Sequence, residues 1–179
     1  MDSKVKYRQH AVRYIFIILL LPSLWILGCK QSEGNRDGIL ISANFPLRSY
    51  VHARLDEHSD KREHLNFPLL AVYGASGDLM YSGYDVGENA QLLADLPDKI
   101  SNLQSKPGAA SLAAAIEEIP DFKTRKTEIL NSRKNTVVST FLQECDACSI
   151  QEEALHNAEP QLLKNGINVL VIHLLKPQQ

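Results

Sequence analysis

Two thiols three residues apart, Cys145 and Cys148 with Asp146 and Ala147 between them, are the residues of this 179-residue chain best suited to chemistry. A thiolate can attack a disulfide, and a second thiol one helical turn away can resolve the mixed disulfide that forms. The pair falls between a β-like run, Thr136 to Leu142, and a helix-like run, Ile150 to Lys164. At a helix N-terminus, unpaired backbone N–H groups and the positive end of the dipole favour a thiolate. Cys145 is therefore the expected nucleophile and Cys148 the resolving thiol. Asp146 and Glu144 place carboxylates beside the nucleophile, and like charge disfavours a thiolate. The expected direction is reduction of a substrate disulfide rather than strong oxidation.

The elements that must position these thiols are legible in the hydropathy pattern. Ile39 to Ala43 reads as a short buried strand ended by Asn44-Phe45-Pro46. Leu47, Tyr50, Val51 and Leu55 then fall at helical spacing, and Ser59 to Glu63 is a charged loop. Leu65-Asn66-Phe67-Pro68 introduces a β-hairpin, with strands Leu69 to Tyr73 and Leu79 to Tyr84 around the turn residues Gly74 to Asp78. A helix opening at Asn89 carries Leu92, Leu93, Leu96 and Ile100, and Pro97 is expected to end its regular part early.

Asn102 to Gly108 is a polar linker, and Ala109 to Ile119 an Ala-rich helix. Charged residues after Ile119-Pro120-Asp121-Phe122 lead to the strand at Thr136. Beyond the thiols, Ile150, Ala154, Ala158 and Leu162 form an i, i+4 stripe, and Asn165-Gly166 ends the helix. Ile167 to Leu175 is a further buried strand closed by Pro177. Strand, crossover helix and strand make a βαβ unit of a sheet covered on both faces, so the fold class is α/β.

The CxxC between strand and helix, with the Pro-hairpin-helix block, resembles the thioredoxin superfamily, in particular its envelope thiol-disulfide oxidoreductases. The likeness covers roughly residues 39–100 and 120–175 and implies a thioredoxin-like three-layer fold. The order departs from the family, because the dithiol unit there precedes the hairpin and here Pro68 precedes Cys145. Either the domain is circularly permuted, or the N-terminal part is a degenerate partner module and the C-terminal half lacks its own hairpin. Permutation implies that Pro68 is the family's cis-proline, with Phe67 before it, and that the two form the substrate-binding position where an extended peptide pairs. The alternative is a trans proline at the start of a strand.

The first residues read as an address label. Lys4, Lys6, Arg8 and Arg13 precede an apolar run from Tyr14 to Ile26, and Leu27-Gly28-Cys29 follows. The run is short for a bilayer span, which needs ~20 apolar residues. It resembles a bacterial lipoprotein signal, which implies acylation of Cys29; an uncleaved N-terminal anchor fits the same pattern. The expected organisation is a signal peptide over residues 1–29, a tether over 30–38 and a thioredoxin-like domain over 39–179. That domain divides into a Pro-hairpin-helix half (39–100), a linker with the Ala-rich helix (101–119) and a CxxC half (120–179). The body is expected outside the cytoplasm on a lipid anchor, facing the periplasm from the outer membrane where two membranes exist, since Lys30 is not the aspartate associated with inner-membrane retention.

Removing residues 1–29 takes four basic residues and one acidic residue from totals of 19 and 21, which leaves 15 against 20 and a formal charge of −5. No basic stripe with interleaved aromatics suggests nucleic acid. Of the chain's three cysteines, the lipid would take one, so the remaining pair is too few for a structural disulfide framework. The expected partners are client proteins with disulfides and an electron donor at the membrane, and no cofactor is implied.

A metal site would need ligands beyond the two sulfurs. His156 lies too far along the helix, His173 sits in an apolar strand as a structural histidine, and His52, His58 and His64 read as solvated surface residues. The alternative function is copper delivery through the same thiols, as in copper chaperones of the cytochrome oxidase assembly type, whose spacing is CxxxC. Tyr73, Tyr81 and Tyr84 are packing or substrate-facing aromatics.

Overall fold

Three β-like runs, Leu69 to Tyr73, Thr136 to Leu142 and Asn168 to Leu175, become the centre of a five-stranded mixed sheet with the order β1-β5-β4-β2-β3. The computed structural model describes residues 37–51 and 66–177. The strands are β1 (Leu40–Pro46), β2 (Leu69–Tyr73), β3 (Leu79–Gly83), β4 (Thr136–Leu142) and β5 (Asn168–Leu175). β4 and β5 are buried along nearly their whole length because each has a strand on both sides and helices on both faces. β5 runs parallel to both β4 and β1, while β2 is antiparallel to β4 and to β3. The α/β architecture expected from the sequence is therefore present.

Alternation along the strands sorts the core into two layers. Helices α1 (Val86–Lys99) and α5 (Asp146–Lys164) belong to the layer with Leu70, Val72, Val137, Phe141, Val169 and Val171. The opposite layer holds Ile41, Ala43, Val138, Leu170, Ile172 and Leu174 with three short helices, α2 (Leu112–Glu117), α3 (Pro120–Thr124) and α4 (Lys126–Asn131). Each fully buried Leu or Ile contributes about 1.5–3 kcal/mol through burial.

Several local expectations change. β1 is longer than the run Ile39 to Ala43 and continues to Pro46; it lies at an edge of the sheet and is buried on one side only, through Ile41 and Ala43. The chain is helical from Leu47 to Val51, and the rest of the expected helix and the charged loop after it lie outside the described residues. α1 begins at Val86 rather than Asn89, because the Asp85 carboxylate accepts the Glu88 N–H at 2.9 Å and caps the helix. It runs past Pro97 to Lys99, since the fully buried Leu93 and Leu96 hold the last turn in the core. The charged stretch after Phe122, which the sequence leaves without an element, is helical. α3 and α4 each bury only one residue, Phe122 and Ile129, too few for a periodic stripe to show.

Two glycines have steric reasons. Gly166 closes α5 at φ +73, with its N–H donating to Leu163 O and that of Ile167 to Leu162 O, a left-handed C-terminal cap. Gly38, just before β1, lies so close to Ile167 that a β-carbon would overlap the Ile167 carbonyl oxygen. Among the described residues no helix is long and apolar enough to cross a membrane.

Candidate redox site

The two thiols arrive together because β4 hands directly to α5. Gln143 donates its N–H to Leu174 O at 3.1 Å, continuing the link to β5, and Glu144 turns the chain at φ +59. Cys145 then stands in extended conformation as the N-cap of α5, and its sulfur accepts the Cys148 N–H at 3.1 Å. A sulfur thus takes the place that a Ser or Asp oxygen usually fills at a cap. Cys145 and Cys148 are joined as a disulfide, with their Cα atoms 5.1 Å apart.

The two sulfurs are not equivalent. Cys145 is half-buried, whereas Cys148 is 2% exposed and belongs to the apolar layer under α5. The Leu142 N–H donates to the Cys148 sulfur at 3.4 Å. Once the bridge is reduced, negative charge on either sulfur meets a backbone N–H, and charge on Cys145 also meets the positive end of the α5 dipole.

The carboxylates around the pair differ from one another. The Lys176 ammonium lies 2.8 Å from the Glu144 carboxylate and, by hydrogen bond and charge, holds its carboxyl below the usual range. The argument from like charge therefore rests on Asp146, exposed in the first turn of α5.

A polar chain runs through the core beneath the helix. Gln151, three residues after Cys148 and fully buried, donates to Ser139 Oγ on β4 at 2.9 Å and accepts from Asn89 Nδ2 on α1 at 2.6 Å. Asn89 Nδ2 also donates to Gly83 O at 3.2 Å, and Asn89 Oδ1 accepts from the Tyr81 hydroxyl at 2.8 Å. Burial first, then the carboxylates of Glu88 and Asp85, push the Tyr81 hydroxyl above its ordinary value of 10.0, so it stays a donor. Sequence reasoning missed this chain because the stripe of α5 was phased on Ile150. The buried stripe is Cys148, Gln151, Leu155 and Leu162, and Ile150 is 58% exposed. Starting the helical count at Cys148 would have found Gln151 as a polar residue on the inner face.

A cavity of about 280 Å³ opens beside the disulfide, lined by both cysteines, Asn44, Phe141, Glu152 and His173, among others. His173, expected as a structural histidine, is a half-buried wall of this cavity, with Nδ1 4.0 Å from a Glu152 carboxylate oxygen. His156 is exposed further along α5, and Cys29, His52, His58 and His64 lie outside the described residues. Among the described residues no group of three or more His, Cys, Asp or Glu side chains could hold a metal ion.

Phe67 and Pro68 are joined by a cis peptide bond, as the resemblance implies. Leu69 pairs with Thr140, and β2 runs antiparallel to β4, so β2 begins at the edge of the sheet where β4 ends. Pro68 therefore belongs to the same edge as the disulfide. Pro68 is buried; Phe67 is half-buried against both apolar layers, its ring 6.1 Å from that of Tyr50. Of the hairpin tyrosines, Tyr73 packs in the core, Tyr81 enters the polar chain, and Tyr84 is exposed. Comparison with known proteins finds no matching family model, no similar curated protein and no similar solved structure.

Proposed function

We propose that this chain is an extracytoplasmic thiol-disulfide oxidoreductase of permuted thioredoxin-like design, which reduces protein disulfides through Cys145 and Cys148. One observation carries the reading: a bridge at the mouth of α5 joins a half-exposed, helix-capping sulfur to a buried one three residues on. An entering disulfide can meet only the outer sulfur, and the inner one is placed to resolve what forms. In the reduced protein Cys145 attacks the substrate, a mixed disulfide forms, and Cys148 displaces the reduced product. The family's cis-proline role would fall to Pro68, with Phe67 before it, as the position where an extended client pairs. The strand order supports that assignment, since residues 39–100 supply both edges of a sheet whose centre is the CxxC half. Clients with disulfides and an electron donor at the membrane complete the scheme, and Cys29 would carry the lipid.

Replacing Cys148 by Ala should trap covalent client complexes through Cys145, and replacing Cys145 as well should abolish them. Trapping that needed Cys148 instead would reverse the roles. A midpoint potential nearer ~−270 mV than ~−120 mV is expected for a reductant, and a purified protein whose two sulfurs show no reversible bridge at any poise would sink the reading. Lipidation at Cys29 predicts incorporation of labelled palmitate and sensitivity of processing to globomycin. The copper alternative needs ligands beyond the two sulfurs, and no described residues supply a cluster that could provide them; anaerobic copper titration tests it.

A further inference from the structure

We propose that His173 is the acid–base group of the dithiol, taking the proton of Cys148 and returning it to the departing thiolate; this rests on the oxidoreductase reading above. The resolving thiol is the one that needs help, because Cys148 is 2% exposed and bulk water has little access to it. Its route to a base is the cavity of about 280 Å³ whose lining includes Cys145, Cys148 and His173. That volume is large enough for water, and a bridging water would relay a proton between groups that do not touch.

The surroundings of His173 single it out. On β5 it stands in register with Asn44 on one side and Phe141 on the other, both uncharged, with its ring 5.8 Å from that of Phe141. From α5 the Glu152 carboxylate approaches Nδ1 at 4.0 Å. From the β4–α5 turn comes Glu144, whose charge is paired with Lys176 from the segment after β5. That ion pair depresses the Glu144 carboxyl, which makes it a poor proton acceptor at neutral pH. An imidazole, by contrast, can both accept and donate a proton through its ring nitrogens.

The step balances without any further reactant. Cys145 thiolate attacks a substrate sulfur, the substrate S–S bond breaks, and its first thiolate leaves with the electron pair and takes a proton from solvent. Cys148 then gives its proton through water to His173, and its thiolate attacks the Cys145 sulfur. The mixed disulfide breaks, the Cys145–Cys148 bond forms, and the second substrate thiolate takes the proton back from the imidazolium. The substrate disulfide is reduced to two thiols and the dithiol is oxidised.

The test uses pre-reduced full-length protein and glutathione disulfide, with acid-quenched samples read by mass spectrometry between pH 5.5 and 8. In His173→Gln and His173→Asn the mixed disulfide should accumulate, its resolution about 10²-fold slower at pH 7 and with the wild-type pH dependence flattened. In a Cys148→Ser background, His173→Gln should slow the first attack far less than it slows resolution in the parent, and added imidazole should restore resolution to His173→Ala. Resolution at the wild-type rate and pH profile in both substituted proteins overturns the assignment, as does an equal slowing of the first attack. A wild-type protein that forms neither mixed disulfide nor internal bridge instead sinks the oxidoreductase reading itself.

Discussion

The difference between Cys145 and Cys148 is a matter of one helical turn, and the same turn corrects the phase of α5. Ile150, an apolar residue on the surface, can be replaced by Glu at a cost below about 0.5 kcal/mol. Leu155→Ala, on the buried stripe, should cost about 2–5 kcal/mol. Urea denaturation of both variants decides between the two phases, and comparable losses would contradict the buried stripe. At this scale the sulfurs themselves were legible from spacing and flanking pattern alone. His173 was not, because a histidine inside an apolar strand looks the same in sequence whether it fills space or lines a cavity. The distinction depends on α5 bringing Glu152 and the two sulfurs across to it.

Elements are joined here by polar as well as apolar contacts, and both kinds make measurable claims. The Gln151 chain ties α5 to α1, β3 and β4. Gln151→Leu would leave buried polar groups short of a partner and should cost about 1–3 kcal/mol. Paired with Asn89→Leu it should show a coupling energy above about 0.5 kcal/mol in a double-mutant cycle, and strict additivity would mean that the two side chains act separately.

On the other face, Glu117 at the end of α2 meets Lys123 of α3 and Lys126 of α4, each at 2.7 Å. Hydrogen bonds from Lys123 first and then Lys126 hold its carboxyl down to about 2, from an ordinary value of 4.5. Because the folded value is the lower one, the stabilisation is present above about pH 4.5 and disappears as the pH falls towards 2. Wild-type stability should therefore drop more steeply across that window than that of Glu117→Gln, and the advantage of the wild type near pH 7, small because the pairs are exposed, should vanish in acid. Parallel acid limbs would contradict this. None of these ion pairs was visible beforehand, since the charged stretch gave no sign of folding into two short helices.

For the molecule as a whole, the sheet interleaves the chain. β4 and β5 form the middle, and both flanks come from the earlier residues, β1 on one side and the β2–β3 hairpin on the other. Neither half holds a complete sheet, so fragments 37–110 and 111–179 should each lack fixed tertiary structure and should recover it when mixed. Dispersed NMR spectra from the later fragment alone would contradict this dependence. The α/β class was legible because runs such as Thr136 to Leu142 and Ile167 to Leu175 are short and rich in β-branched residues, while helical stripes lie between them. Which runs become neighbours was not, because pairing between β2 and β4 spans more than sixty residues of chain. The three parallel strands also carry a directional consequence. β1, β4 and β5 all point the same way, and the sulfurs follow the far end of β4 while Gly38 precedes the near end of β1. Seven residues of strand separate those ends by roughly 20 Å, so the chain enters the sheet at the end opposite the sulfurs, and the strand ends beside the disulfide are clear of that entry.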